Sequence, residues 1–121
     1  MNKEILIVED DPFVALMLEG YLDALDYRVA AVAESVPAAL DQIASRDLDA
    51  AIVDVHLANG ETSGPVAEAL RAAGVPFLVT TGSLTAIDDP ALAGAELIAK
   101  PFTLERFAPA LAALWPAPAS L

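Results

Sequence analysis

Five short apolar runs, each followed by an alanine-rich stretch with helical spacing, set the tightest limit on what this chain can fold into. The runs are Ile5–Val8, Val29–Ala33, Ala50–Val53, Phe77–Thr80 and Glu96–Ala99. They hardly alternate between apolar and polar residues and are rich in β-branched side chains, as expected of strands covered on both faces. The segments between them read as helices. Phe13–Leu25 sets Val14, Met17, Leu18, Tyr21, Leu22 and Leu25 on one stripe, and Val36–Arg46 opens with Ser35 as N-cap and Pro37 in its first turn. Pro65–Ala73 stops at Gly74, and Leu104–Trp115 repeats Leu104, Phe107, Ala108, Leu111, Leu114 and Trp115 at helical spacing. Pro109 lies beyond the first turn of that helix, so a kink is expected there. Ser83–Gly94 contains Asp88-Asp89-Pro90 and little periodicity, so any helix in it is short. Strand and helix alternate five times, which predicts an α/β fold, a parallel sheet covered on both faces by right-handed crossovers.

At 121 residues, with no repeat and no linker, the chain reads as one domain, residues 1–121, with a single core. Its apolar share of 56% argues against disorder. No apolar run approaches the ~18 residues of a membrane span. Met1–Glu4 leads straight into the first strand without the apolar stretch and small-residue cleavage site of a secretory signal. The expectation is a cytoplasmic protein with no membrane insertion. There is no cysteine, which removes disulfides and thiolate metal sites. Six basic against eighteen acidic residues give a formal charge of −12, which repels phosphate backbones and anionic lipid and argues against nucleic-acid binding.

In sheets of this kind the working residues sit just beyond the C-terminal ends of the strands. The first strand ends in Glu9-Asp10-Asp11, the third in Asp54, the fourth in Thr80-Thr81-Gly82 and the fifth in Lys100-Pro101. Carboxylates gathered at one point repel one another unless a cation neutralises them. Oxygen ligands without His or Cys suit a hard octahedral ion, Mg²⁺ or Mn²⁺. A hydroxyl and an ammonium from the other side are donors for phosphoryl oxygens, so the set reads as a phosphoryl site. A carboxylate in such a set can itself attack phosphorus. Asp11 reads mainly as the cap of the helix that begins at Pro12, with metal contact as its alternative. Thr80 competes with Thr81, because adjacent strand residues face opposite ways; Thr81 is preferred.

Ile-Leu-Ile-Val-Glu-Asp-Asp, the Asp after Ala-Ala-Ile-Val, Val-Thr-Thr-Gly and Ala-Lys-Pro-Phe, in this order, resemble the receiver domains of two-component response regulators over the whole chain. The resemblance implies a flavodoxin-like (βα)5 fold, a doubly wound five-stranded parallel sheet in the order 2-1-3-4-5. It implies Asp54 as phosphoacceptor and metal ligand, Asp10 as direct metal ligand, Glu9 acting mainly through water, and the backbone carbonyl of His56 as a further ligand. Thr81 matches the hydroxyl that approaches the phosphoryl group, five residues after Pro76, and Lys100 the lysine that pairs with a phosphoryl oxygen. A cis Lys100–Pro101 bond is implied as well. The implied partners are a histidine kinase or histidine phosphotransfer protein and a downstream protein. The implied role is a signalling phosphoacceptor with slow self-dephosphorylation, not an enzyme turning over a separate substrate.

Three features depart from the usual receiver. Leu97 stands where an aromatic switch residue is common, Lys100 follows Thr81 by only 19 positions, and the loop after Asp54 lacks a frequent proline. Asn-Gly-Glu-Thr-Ser-Gly-Pro-Val-Ala with Gly-Val-Pro-Phe-Leu-Val-Thr-Thr-Gly resembles a subgroup of single-domain receivers whose fourth strand ends Phe-Ala-Thr-Gly-Tyr and which pair with HWE-type and related histidine kinases. Here Val79-Thr80-Thr81-Gly82-Ser83 replaces that ending. The sequence given ends at Leu121, soon after the last helix, so a stand-alone receiver is expected, with output by protein binding or by draining phosphate from a kinase. His56 and Ser83 are candidates for steering the water that hydrolyses the phosphoaspartate. Asp54-x-His56 also resembles the cobalamin loop Asp-x-His-x-x-Gly, but position 59 is Asn and the glycine is Gly60. Two other readings stand beside the receiver. One is an interaction module of the same fold that does not use phosphate; the other is an aspartyl-phosphate hydrolase, which needs an Asp-x-Asp at the first strand where Glu9-Asp10-Asp11 stands.

Overall fold

The computed structural model describes residues 3–57, 60–82 and 89–115. Five parallel strands, β1 (Glu4–Val8), β2 (Arg28–Ala33), β3 (Ala50–Asp54), β4 (Phe77–Thr81) and β5 (Glu96–Ala99), form one sheet in the order β2-β1-β3-β4-β5. The α-helices among the described residues are α1 (Pro12–Ala24), α2 (Val36–Ser45), α3 (Gly64–Ala72) and α4 (Leu104–Ala112). The architecture is the doubly wound, flavodoxin-like one expected. The described part of the fourth crossover holds a 3₁₀ turn at Pro90–Leu92, in keeping with the weak periodicity there. Residues 83–88 lie outside the described residues, Ser83 among them.

Helix starts follow the caps in the sequence. Asp11 accepts from the Phe13 N–H at 2.9 Å with Pro12 in the first turn, so its capping role holds. Ser35 accepts from the Ala38 N–H, and Thr103 from the Arg106 N–H. Pro109 sits inside α4, as expected from its position.

Alternation along the strands divides the core between the two faces. Leu6, Val8, Ala51, Val53 and Val79 pack with α2 and α3 residues such as Ala39, Val66, Ala67 and Leu70. Ile5, Ile7, Ile52, Leu78 and Ile98 pack with Leu18 and Leu22 of α1 and Phe107 and Leu111 of α4. Every residue of β3 and β4 is buried, which is why these runs show no polar alternation.

The strand order reverses between β1 and β3, because β1 continues to β2 on one side and β3 to β4 on the other. A crevice opens at such a switch point beyond the carboxyl ends of the strands. Glu9-Asp10 and Asp54 stand at it.

Candidate functional site: an acidic crevice closed by a lysine

Glu9 continues the line of β1: its N–H donates to Ala33 O at 2.9 Å. Its carboxylate accepts from the Asp11 N–H at 3.1 Å, so the turn into α1 orients it. Asp54 closes β3 and pairs in register with Thr80. The Lys100 ammonium reaches both acids, donating to Asp54 Oδ2 at 2.9 Å and Glu9 Oε1 at 3.1 Å. Lys100 is held at the sheet because its own N–H donates to Thr81 O at 2.7 Å, and its bond to Pro101 is cis, as the resemblance implied.

One carboxylate oxygen from each of Glu9, Asp10 and Asp54 lies within 4.8 Å of the others. An all-oxygen set so crowded fits a hard divalent cation, because the ion removes the repulsion that the cluster otherwise carries. Glu9 is 1% exposed. Burial pushes its carboxyl up from 4.5 to about 7; the Asp11 N–H opposes this, neighbouring Asp54 adds to it, and Lys100 draws it back down. For Lys100, burial disfavours the ammonium, but its hydrogen bonds and attraction to Asp54 and Glu9 outweigh this and hold it above the usual lysine value. Burial thus dominates at Glu9 and ion pairing at Lys100, unlike charges on a solvated face.

Thr80 and Thr81 are both buried at the end of β4, Thr80 paired with Ile98 and Thr81 with Ala99. His56 is exposed two residues past Asp54 and forms an isolated antiparallel bridge with Thr62. Leu57 N–H to Glu61 O at 2.8 Å and Ser63 N–H to Val55 O at 2.9 Å close this loop on itself. Gly60 supplies its left-handed turn at φ 75°.

Sequence reasoning missed two groups. Asp89, read only as part of a weak helix, accepts from Thr62 Oγ1 at 2.9 Å and from the Ala91 N–H at 3.0 Å; nothing local in the sequence pairs it with the Asp54 loop. Phe13 and Leu16 are 83% and 66% exposed on α1. Their absence from the stripe of Val14, Met17 and Leu18 was the available signal.

Fold and crevice together define an acidic site, closed by a lysine, at the switch point of a doubly wound sheet. Residues 5–112 match the family model for the response regulator receiver domain. The chain belongs to that family. It is 34% identical to the phyllosphere-induced regulator PhyR of Methylorubrum extorquens over 110 residues, covering 84% of this chain and 39% of PhyR. It thus spans about two fifths of that relative's length. The solution structure of SdrG from Sphingomonas melonis Fr1 is 43% identical, with a TM-score of 0.83 over 93% of this chain and 96% of SdrG. The receiver domain of the Pseudomonas aeruginosa sensor histidine kinase PA1611, described with a magnesium ion coordinated in its active-site cleft, is 26% identical, with a TM-score of 0.83 over 94% of this chain and 98% of that one.

Proposed function

We propose that Asp54 accepts a phosphoryl group from the phosphohistidine of a histidine kinase or histidine phosphotransfer protein. The observation that carries this reading is the Lys100 ammonium held between Asp54 and Glu9 beside a three-carboxylate cluster. Asp10, Asp54, Glu9 (mainly through water) and the His56 carbonyl would hold Mg²⁺, with Mn²⁺ as substitute, and the ion when bound supplies charge neutralisation for the phosphoryl oxygens.

The chain's own residues do the rest. An Asp54 carboxylate oxygen attacks phosphorus, the new O–P bond forms as the donor P–N bond breaks, and the leaving imidazole keeps the electron pair. Lys100 is already close enough to Asp54 to move onto a phosphoryl oxygen and offset its charge. Thr81 is the proposed hydroxyl donor to another phosphoryl oxygen, reaching it from the very end of β4, where its carbonyl holds the Lys100 N–H, rather than along the ladder face that Thr80 shares with Asp54. The protein acts as a signalling phosphoacceptor, and its output is binding to a downstream protein or removal of phosphate from the kinase. The donor kinase is of the HWE or a related type, and the protein works in the cytoplasm.

A docking area adjoins the site. Exposed Phe13 and Leu16 lie on α1, and Val14, Met17, Lys100, Pro101 and Phe102 line an apolar pocket of about 340 Å³. These are features a protein donor can cover while its histidine reaches Asp54. The test is incubation with Mg²⁺ and a small phosphodonor, read by intact mass. One phosphate on the wild type and none on Asp54→Asn is expected; equal labelling of the variant would refute the assignment. Failure of the wild type to take up phosphate would favour the non-phosphorylated interaction module.

A further inference from the structure

Successive residues of a strand face opposite ways. Ile52, Leu78 and Ile98 share the face under α1 and α4. Two residues beyond Ile52 and Leu78, the same alternation brings Asp54 and its register partner Thr80 to that face. Two beyond Ile98 comes Lys100, still in the ladder through its N–H bond to Thr81 O. Lys100 at the end of β5 therefore has to cross β4 to reach Asp54 on β3, and Thr80 is the β4 residue on its way.

Thr80 is 1% exposed, and its hydroxyl has no hydrogen-bond partner among the described residues. A buried hydroxyl left unpaired destabilises a fold, and valine would fill the same space without that penalty. The hydroxyl therefore calls for a second state in which it is used.

We propose that Thr80 is a positioning residue whose hydroxyl oxygen accepts from the Lys100 ammonium once Asp54 is phosphorylated. This rests on the phosphoacceptor reading above. As the O–P bond forms and the donor's bond to phosphorus breaks, the Asp54 carboxylate loses its charge and becomes a weak acceptor. The ammonium keeps its three protons and redistributes them to a phosphoryl oxygen, Glu9 and Thr80. The hydroxyl keeps its own proton, and the lysine is held over the transferring group.

The test compares wild type, T80V, T80S and D54N, each with Mg²⁺ and acetyl phosphate, measuring the initial rate of phosphate uptake and, without donor, the melting temperature. T80V should melt above the wild type yet take up phosphate about tenfold more slowly, the size of effect a hydrogen bond to a charged group supports. T80S should stay within about twofold of the wild-type rate, because it restores the hydroxyl. Uptake by T80V at the wild-type rate overturns the inference, as does T80S being as slow as T80V. A T80V melting temperature below wild type would mean the hydroxyl is already paired and overturns it too. No uptake by wild type, or uptake by D54N, removes the phosphoacceptor reading and this inference with it; normal wild-type uptake with an unaffected T80V removes this inference alone.

Discussion

β1 and β3 lie inside the sheet, with every residue from Ile5 to Val8 and from Ala50 to Asp54 buried, and the connections around them carry full helices. β4 and β5 are joined by a crossover whose described part holds only the 3₁₀ turn at Pro90–Leu92, and β5 leaves Glu96 and Leu97 exposed. The first region holds the acids by packing. The second buries Leu92 in the core beside Val66, Ala67 and Leu70 and adds polar ties: Arg71 of α3 donates to the carbonyls of Ala91 and Ala93, and Asp89 binds Thr62 in the loop before α3. A Cβ at Gly64 would collide with the Asp89 carboxylate. The contrast teaches that the acid half is fixed by strands buried along nearly their whole length, while the described part of the crossover that faces the loop after Asp54 is anchored at Leu92 and supplemented by replaceable polar bonds.

The largest expected effect lies in the packed region. Phe107 is fully buried against Phe102 and Tyr21, so Phe107→Ala should destabilise the whole domain by about 3–5 kcal/mol in urea melts. A loss below 1 kcal/mol would erase the contrast. Next, Lys100→Ala removes the cation shared by Asp54 and Glu9 and should slow phosphate uptake about 100-fold, checked by initial rates with a small phosphodonor.

The pH dependence sharpens the same point. The folded state holds the Glu9 proton more tightly than the unfolded chain, because its carboxyl is raised from 4.5 to about 7. This contribution to stability is complete below pH 4.5 and is lost as pH rises towards 7. Without metal, melting temperature should carry that decline; millimolar Mg²⁺ should counter it by binding the ionised cluster. A Glu9→Gln variant that keeps the full decline would move its origin elsewhere.

Much of this was legible beforehand, and the reason is local. Strand runs without alternation gave the sheet, and Asp11, Ser35 and Pro12 gave helix starts to within a residue, because caps act on the next turn. Glu9, Asp10, Asp54 and Lys100 could be grouped because strand ends in a parallel sheet share an edge. The Asp89–Thr62 bond was not legible, since it joins residues 27 apart through an irregular crossover. The buried state of Thr80 was hidden too, as its neighbour Thr81 carries the same side chain.

Two smaller effects complete the comparison. Asp89→Ala should cost about 1 kcal/mol and raise hydrogen exchange at 91–95 while leaving β1 and β3 protected; uniform loss of protection would show one cooperative unit instead. Phe13→Ala, on an exposed side chain, should change stability by less than about 0.5 kcal/mol. It should slow transfer from a phosphorylated protein donor and leave uptake from acetyl phosphate unchanged; equal slowing of both would count against a docking role.

The most direct measurement is to phosphorylate the wild type, reduce it with borohydride and sequence the peptides by tandem mass spectrometry. The account predicts conversion of Asp54 alone to homoserine. Conversion at Asp10 or Asp11, or at no residue, would contradict it.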